Sequence, residues 1–454
     1  MLTKIISKKE NIFTIILKNE SDSDVCFLFN KNEIIVESDV FFKNNDLQIL
    51  EKNRLKGSET LNFLRKNVKN LKNVQIVSEN VSKENLIAFL EGFLLSNYSF
   101  DRYKSEKKDK IEEILLISDN ISSENIDFLN VTEEMTTFCR DLVNEPHIHQ
   151  SATQFAETLS QKAKDLGVNC RILNKKEIEA EKMGGLLGVN RGSIEAPTFT
   201  VLEINYDKNS NEQPIILVGK GLVFDTGGLN IKTGSYMDTM KEDMSGGALV
   251  ASTAFALAKL GYTKPLVVLI PATDNRPGEN ALAPGDVITM RSGTTVEVSN
   301  TDAEGRLILA DALDYAKQYH PKLVVDAATL TGSASRAVGK QAAVAMQSRA
   351  ENELETLKKA GFKTYERIVE LPLWDEYADD IKSDIADLDN SGGTYAGAIT
   401  AGKFLQHFTD YPFIHLDIAG VSFFTKAFKY YGKGGSAFGL RLLVEFLFPH
   451  FSVE

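Results

Sequence analysis

Polar side chains that could do chemistry are concentrated in three short stretches of this 454-residue chain, at 219–232, 237–243 and 300–306. Apolar sequence surrounds each stretch, which is unusual for a solvated surface. Together the stretches supply four carboxylates, those of Asp225, Asp243, Asp302 and Glu304. Carboxylates that gather in one place repel each other unless a cation holds them. The set therefore predicts a metal site.

The spacing of these residues favours one shared site. The apolar strand predicted at Ile215–Val218 leads directly into Lys220 and Asp225, and open α/β sheets bind ligands at the C-terminal ends of their strands. Asp302 and Glu304 are two positions apart, which in an extended segment places both carboxylates on one side. Each stretch alone is also compatible with an ordinary turn or a solvated loop. The three together favour a binding site.

Four carboxylates are enough to hold two divalent cations that share ligands. Paired metals about 3.5–4 Å apart activate a water for hydrolysis near neutral pH. Oxygen ligands suit Mn²⁺ or Mg²⁺ and are compatible with Zn²⁺. Other chemistries lack their motifs, because the six histidines form no HExxH and the chain has neither a GxSxG elbow nor a P-loop. The sequence therefore indicates a metal-dependent hydrolase.

The elements that would position these residues follow an α/β pattern. Continuous apolar runs predict strands buried on both faces, at Phe199–Ile204, Ile215–Val218, Leu266–Ile270, Leu323–Asp326 and Phe413–Leu416. Helices are predicted between them, at about Thr153–Leu166, Gly246–Leu260, Leu307–Tyr319 and Gly397–Phe408. This alternation predicts a mostly parallel central sheet flanked by helices. The glycine-rich run Gly184–Gly188 is predicted to be a tight structural turn.

A smaller α/β domain is predicted on the N-terminal side. Short β-like runs alternate with helical patterns such as Ser82–Ser96, and the runs lie at Val25–Phe29, Val74–Val77 and Ile114–Ile117. Val131–Val143 is a predicted connecting helix that stops before Pro146. We therefore expect an N-terminal α/β domain at 1–130, a linker helix within 131–149 and a catalytic α/β domain at 150–454.

Bulk composition limits the class of protein. A hydrophobic content of 43% and a charged content of 25% are those of globular proteins, and no apolar run approaches the ~20 residues that span a membrane. The net charge of −12 argues against nucleic acid as the main partner, because phosphate binding relies on clustered lysine and arginine. No signal peptide is visible, and the three cysteines match no disulfide or metal-binding spacing. We expect a soluble cytoplasmic enzyme.

Longer motifs around these residues resemble those of a known family. VGKGLVFDTGGLNIK at 218–232, MDTMKEDMSGG at 237–247 and NTDAEGRLILADAL at 300–313 are similar to motifs of the leucyl aminopeptidase family of metallopeptidases, also called cytosol aminopeptidases. The likeness continues in order through DAATLTG, HLDIAG and GGSAFGLRLLVEFL, and it covers about residues 140–446. NTDAEGRL is highly specific to the family. The resemblance implies removal of single residues, preferably apolar ones, from peptide N-termini.

The resemblance also implies roles for individual residues. Two divalent ions, Mn²⁺ or Zn²⁺ with Mg²⁺ or Co²⁺ as further alternatives, would be held by Lys220, Asp225, Asp243, Asp302 and Glu304. Asp225 and Glu304 would bridge the two ions. Arg306 would hold a bicarbonate ion that acts as general base. Lys232 would stabilise the oxyanion that forms from the peptide carbonyl.

The implied substrate site explains why only N-termini would be cleaved. The free α-amine would bind one metal and Asp243, while Lys232 would contact the peptide carbonyl. The pocket for the first side chain would suit apolar groups and be lined by Met240, Thr329, Leu330 and Gly332. The resemblance implies a homohexamer, a dimer of trimers. Two alternatives stay open: a cysteinyl-glycine dipeptidase, and a secondary DNA-binding regulator for which the lysine-rich stretch 104–110 is the candidate patch.

Overall fold

The computed structural model describes residues 2–6, 12–18, 26–29, 33–37, 47–78 and 81–450. They group into two compact units. The first takes in the described residues of Met1–Phe138, Phe424–Gly434 and Pro449–Glu454, and the second comprises Cys139–Phe423 and Gly435–Phe448. Within the described ranges, no helix combines the length and the apolar character needed to cross a membrane. The division at 1–130, 131–149 and 150–454 stays a prediction.

The first unit contains a mostly parallel sheet. Its strands are β1 (Leu2–Ile5), β2 (Phe13–Lys18), β3 (Cys26–Phe29), β4 (Glu33–Glu37), β5 (Asn73–Ser78) and β6 (Glu113–Ile117). They lie in the order β1-β6-β5-β2-β4-β3, and β3 runs antiparallel to β4. The helices are α1 (Leu47–Asn67), α2 (Lys83–Asn97) and the first part of α3 (Ser123–Asn144), whose residues from Cys139 onward belong to the second unit. The predicted strands and helices of this region are present, although Val25 lies outside the described residues.

Helices α1 and α2 approach closely because each presents a glycine to the other. A methyl group on Gly92 would lie 1.8 Å from the carbonyl oxygen of Arg54, and one on Gly57 would lie 2.0 Å from that of Phe89. The close approach places the Arg54 Nε 2.7 Å from Oε2 of Glu91, both side chains being buried. A paired charge of this kind avoids the cost of a lone buried ion.

The second unit is built on a larger sheet with the order β16-β15-β18-β14-β9-β11-β8-β7, in which β10 also pairs with β11. These strands are β7 (Asn169–Leu173), β8 (Thr198–Ile204), β9 (Ile215–Gly219), β10 (Gly221–Asp225), β11 (Leu266–Asn275), β14 (Leu323–Ala328), β15 (Ala343–Ser348), β16 (Ile368–Glu370) and β18 (Phe413–Asp417). The central strands β18, β14, β9 and β11 are parallel, whereas β8 and β7 on one side and β15 on the other join through antiparallel pairs. The predicted parallel sheet is confirmed at its centre.

Two smaller sheets account for the remaining strands of the described residues. One contains β12 (Asp286–Thr289), β13 (Thr295–Val298) and β17 (Leu388–Asp389), and another contains β19 (Phe423–Phe428) and β20 (Gly432–Gly435). Short 3-10 segments lie at His147–His149, Met240–Glu242, Lys317–Tyr319, Asp375–Ile381 and Lys429–Tyr431.

Helices of the second unit cover the large sheet, and apolar residues of both form its main core. They are α4 (Ala152–Asp165), α5 (Lys175–Ala180), α6 (Gly184–Asn190), α7 (Ser245–Lys259), α8 (Gly305–Ala316), α9 (Gly332–Val338), α10 (Glu351–Thr364), α11 (Gly397–His407) and α12 (Leu440–Leu447). The predicted helices correspond to α4, α7, α8 and α11.

One prediction of local structure is wrong, because the run Gly184–Gly188 begins helix α6 and is not a turn. The backbone N–H of Leu186 is held by the Oδ2 of the buried Asp311 at 2.9 Å, which satisfies a donor at the start of this helix. The glycines serve close packing instead. A methyl group on Gly184 would lie 1.8 Å from the carbonyl oxygen of Thr289.

The segment Phe424–Gly434 of the first unit contacts a buried carboxylate of helix α1. Lys429 Nζ lies 2.8 Å from Oε1 of Glu51, and the Tyr430 hydroxyl donates to Oε2 at 3.0 Å. Glu51 is 4% exposed. Because an unpaired buried carboxylate is costly, this segment is part of what makes the unit stable.

Candidate metal centre

The junction between strands β9 and β10 carries the first two candidate ligands. Lys220 stands between the strands, and Asp225 is the last residue of β10. Both are buried, at 2% exposure each. Helix α7 begins close by because Gly246, which has no side chain, packs against the carbonyl oxygen of Ala327 in β14. A methyl group at this position would lie only 2.0 Å from that oxygen. Only glycine permits that approach, which brings the residues before α7 to the site.

The ammonium group of Lys220 lies among oxygen atoms from three elements. Its Nζ is 2.8 Å from both carboxylate oxygens of Asp243 and 3.0 Å from Oε1 of Glu304. It also donates to the carbonyl oxygen of Thr329 at 3.0 Å. Thr329 in turn donates its hydroxyl to Oδ1 of Asp243 at 2.6 Å. The structure therefore brings Lys220, Asp243, Glu304 and Thr329 together.

A second lysine joins the other two carboxylates. Lys232 Nζ lies 2.6 Å from Oδ2 of Asp225 and 2.6 Å from Oδ1 of Asp302. Asp225 also accepts at Oδ1 from the side-chain amide of Asn275, at 2.9 Å. The four carboxylates predicted to share a site thus form one cluster with two lysines.

Asp302 and Glu304 reach the cluster through a turn, and the extended backbone expected of them is not present. Asp302 N donates to Oδ1 of Asn300 at 2.9 Å, and Ala303 N donates to the carbonyl oxygen of Asn300 at 3.1 Å. Glu304 then directly precedes helix α8. The tight turn, in place of alternating strand geometry, orients both side chains to the same site.

The loop that carries Lys232 depends on two glycines with left-handed backbone. Gly227 has φ 86° and Gly228 has φ 64°, a region that other residues rarely adopt. The reversal lets Lys232 N donate to the carbonyl oxygen of Thr226 at 2.9 Å. Thr301 fastens the loop by donating its hydroxyl to the carbonyl oxygen of Gly227 at 2.6 Å.

The cluster has the donor set that a divalent cation requires. Asp225, Asp302 and Glu304 each offer an oxygen, and these atoms lie within 4.8 Å of one another. Oε2 of the buried Glu304 has no hydrogen-bond partner among the described residues. A buried carboxylate oxygen without a partner is costly, and a metal ion would satisfy it. These residues therefore fit the predicted metal ligands.

Electrostatics in the cluster also favours a cation. Burial raises the pKa of Asp243 and of Glu304, and neighbouring carboxylates raise both further. Burial, together with Glu304 and Asp225, raises the pKa of Asp302 to about 7. Carboxylates whose ionisation is opposed in this way gain most from a nearby positive charge.

Lys220 differs from the other candidate ligands because it must lose a proton to bind a metal. Burial lowers its pKa, but the charges of the surrounding carboxylates outweigh burial and hold the pKa above its ordinary value. Only the added charge of a divalent ion could displace that proton. Of the candidate ligands, Lys220 would thus require the most free energy to bind a metal, because its proton must be removed first.

Arg306 is buried on the first turn of helix α8, at 7% exposure. Its Nη1 donates to the carbonyl oxygen of Asn390 at 2.6 Å, while Nε has no hydrogen-bond partner within the described part of the chain. Burial lowers its pKa to about 10, so the guanidinium stays charged at neutral pH. A charged group with a spare buried donor suits a small anion.

A cavity of about 620 Å³ opens onto this cluster. The predicted side-chain pocket residues Met240, Thr329, Leu330 and Gly332 line it together with the candidate metal ligands and Lys232, whereas Arg306 does not. Further lining comes from residues that the sequence did not single out, including Ile231, Tyr236, Glu242, Ser335 and Arg336.

Sequence reasoning missed three amide and hydroxyl residues that hold the cluster in place, Asn275, Thr301 and Asn390. Asn390 accepts from Asn300 N at 3.2 Å and donates to its carbonyl oxygen at 2.8 Å, across 90 positions of chain. Asn275 stands at the end of β11, beside Asp225 in the pairing of β10 with β11. Its place at a strand end is the one signal that could have revealed it.

The chain is similar to several known proteins. Residues 137–444 match the cytosol aminopeptidase family, catalytic domain. A probable cytosol aminopeptidase of Chlorobaculum tepidum is 46% identical over 382 residues, 80% of this chain and 75% of the relative. One of Syntrophotalea carbinolica is 43% identical over 368 residues, 79% of this chain and 74% of the relative. The solved structure of the bottromycin maturation enzyme BotP in complex with Mn has a TM-score of 0.86 at 26% identity, covering 96% of this chain and 99% of that one.

Proposed function

Because this chain belongs to the cytosol aminopeptidase family and is therefore an aminopeptidase, we propose that it uses two divalent metal ions to release leucine and similar apolar residues from peptide N-termini. The observation that carries the proposal is the single cluster that Asp225, Asp243, Asp302 and Glu304 form around two lysine nitrogens, in which all of the carboxylates except the partly exposed Asp302 are buried. Such a cluster is costly for a protein unless it binds cations.

Two metal ions would be held by Lys220, Asp225, Asp243, Asp302 and Glu304. Mn²⁺ or Zn²⁺ is our first choice, with Mg²⁺ or Co²⁺ as alternatives, and the Mn-bound BotP structure supports manganese. Bound there, the ions would supply an activated water and polarise the peptide carbonyl. The carboxylates would bind and space the ions, and the burial of Asp225, Asp243 and Glu304 keeps competing water away from those ligands.

Three residues of this chain would handle charge and protons during the reaction. Asp243 accepts from the free α-amine, which selects peptide N-termini. Lys232 is held by Asp225 and Asp302 at 2.6 Å each, close enough to the cluster to stabilise an oxyanion. Arg306, with its unpartnered Nε, would hold bicarbonate as the proton acceptor.

The first side chain of the peptide would occupy the cavity beside the cluster. Met240 and Leu330 give the cavity apolar walls, and Thr329 and Gly332 complete the set that we assign to this pocket. We also propose that the enzyme is a homohexamer and acts in the cytoplasm, as its family suggests. Mass measurement of the assembly in solution tests the hexamer.

The decisive experiment is hydrolysis of leucine amide by chelated protein, with each metal then restored singly. We expect no turnover after chelation and recovery with Mn²⁺ or Zn²⁺. Glu304→Gln should lower kcat by at least about a hundredfold, because it removes a ligand charge. Glu212→Gln, an exposed site with the same charge change, should leave the rate unchanged. Absence of turnover for every N-terminal residue and metal tested would refute the proposal.

A further inference from the structure

Arg336 lines the cavity, yet none of the roles proposed above uses its charge. It belongs to helix α9 and is exposed. The cavity also contains the ammonium groups of Lys220 and Lys232, but both of those are held by carboxylates of the cluster. Arg336 therefore lines the same cavity without being held by the carboxylates that hold the two lysines.

The position of the guanidinium follows from helix geometry. Helical side chains point back toward the N-terminus of their helix, so Arg336 covers the turn that begins at Gly332. A methyl group on Gly332 would lie 3.2 Å from Nη1 of Arg336. The absence of a side chain at Gly332 thus lets the guanidinium lie against the wall that we assign to the first side chain.

Most hydrogen-bond donors of this guanidinium remain available. Nη2 donates to the hydroxyl of Ser333 at 3.0 Å. Within the described residues, Arg336 forms no ion pair, although five carboxylates line the same cavity. A guanidinium has five N–H groups in a planar fork that matches a carboxylate. An incoming carboxylate would meet a charge that is not already neutralised.

We propose that Arg336 binds a carboxylate of the substrate and so extends specificity beyond apolar N-terminal residues. The carboxylate has two possible sources: the side chain of an N-terminal glutamate or aspartate, or the free C-terminus of a very short peptide. The methylene groups of glutamate would contact Met240 and Leu330, while its tip reaches the guanidinium. This inference rests on the proposed aminopeptidase function and modifies its substrate range.

The exposure of Arg336 limits how much an ion pair with a substrate carboxylate can contribute. Exposed ion pairs are weak because water screens them, whereas bidentate arginine–carboxylate pairs are among the stronger ones. Between these limits we expect Arg336 to change kcat/KM for the matching substrate by about three- to thirtyfold. Added salt should reduce the effect, since the pair is solvent-accessible.

Two substrate pairs distinguish the sources of the carboxylate. Glutamate amide and glutamine amide differ only in the charge of the side chain, and Leu-Gly and Leu-Gly-amide differ only in the charge of the C-terminus. The kcat/KM ratio within each pair is measured for the Mn²⁺-loaded wild type, Arg336→Gln and Arg336→Lys. Arg171→Gln, which removes an exposed arginine on β7 outside the cavity, is the matched control.

We expect Arg336→Gln to lower one of the two ratios by about three- to thirtyfold and Arg336→Lys to lower it less. A fall in the first ratio identifies an acidic N-terminal residue, and a fall in the second identifies a free C-terminus. Unchanged ratios in Arg336→Gln, or equal changes in Arg171→Gln, would overturn the inference. Leucine amide turnover by the wild type separates this result from failure of the aminopeptidase proposal.

Discussion

Gly305 and Lys220 are packed so closely that a methyl group on the glycine would lie 2.8 Å from Nζ of the lysine and 2.6 Å from its Cε. Gly305 opens helix α8, directly after Glu304. The lysine can therefore reach Glu304 and Asp243 because the residue next to Glu304 has no side chain.

Gly305→Ala should displace the end of the Lys220 side chain. We expect metal affinity and kcat to fall by about 10- to 100-fold, the usual effect of disturbing residues that orient metal ligands. Stability should fall, because displacing a buried, ion-paired lysine costs more than the roughly 1 kcal/mol by which alanine favours helix over glycine. Titration with Mn²⁺ and thermal unfolding measure the two effects. Gly188→Ala in helix α6, whose methyl group would meet Leu282 at an ordinary 3.4 Å, is the control. Equal metal affinity in both variants would contradict the prediction.

The proposed bicarbonate site at Arg306 predicts a dependence of rate on bicarbonate. In buffer freed of carbon dioxide, added bicarbonate should accelerate the wild-type enzyme. Arg306→Met should lose that response and lower kcat by about a hundredfold, within the range for loss of a general base. Initial rates across a bicarbonate series provide the measurement. If the variant responds to bicarbonate as the wild type does, Arg306 does not hold the anion.

The hydrogen bonds that Asp311 accepts predict a loss of stability when this residue is replaced, although Asp311 is not one of the candidate metal ligands. Its Oδ2 accepts from Leu186 N and its Oδ1 from Arg291 N, each at 2.9 Å. Asp311→Ala leaves both donors without an acceptor and should cost about 2–4 kcal/mol of unfolding free energy. Asp311→Asn keeps one acceptor oxygen and should cost less. Urea denaturation compares the variants, and equal losses would show that these hydrogen bonds are not the cause.

The buried pair of His415 and Asp326 predicts a dependence of stability on pH. His415 Nδ1 lies 2.7 Å from Oδ1 of Asp326. Burial lowers the pKa of His415, but the charge of Asp326 and the hydrogen bond outweigh burial, so the folded pKa exceeds the unfolded value. The stabilisation is therefore complete below about pH 6.5 and is lost as pH rises through the folded pKa.

Unfolding free energies of wild type and His415→Gln, measured from pH 6 to 9, test this sign. The advantage of the wild type should shrink as pH rises, because the charge on His415 is lost. An advantage that grows with pH would mean that the pair works through neutral histidine.

Sequence patterns predicted the large sheet well because its central strands are buried on both faces. Strands such as Leu323–Ala328 read as unbroken apolar runs, and helix α7 reads as a run of small residues ended by Gly261. Helix α1 was not predicted. It buries polar residues such as Asn53 and Arg54 in packing against α2, which disguises its amphipathic pattern.

The charged residues of the candidate site could be predicted because their chemistry is visible in their types and spacing. The residues that hold them could not. Asn390 contacts Asn300 through backbone and amide groups 90 positions apart, and an asparagine carries no mark of such a partner in its own sequence context. Arg336 was overlooked for a related reason, since only the fold brings its guanidinium against Gly332.

The pairing of Glu51 with Lys429 and Tyr430 has a consequence for biosynthesis. A ribosome translates the strands and helices of the first unit early, but the partners of Glu51 are made almost 380 positions later. Until those partners emerge, the nascent N-terminal region lacks two of the groups that contact this carboxylate, although Arg54 of the same helix, whose Nη1 lies 3.8 Å from Oε2 of Glu51 in the folded unit, is present from the start. These contacts of the first unit therefore form only after the candidate metal ligands between 220 and 304 have been synthesised.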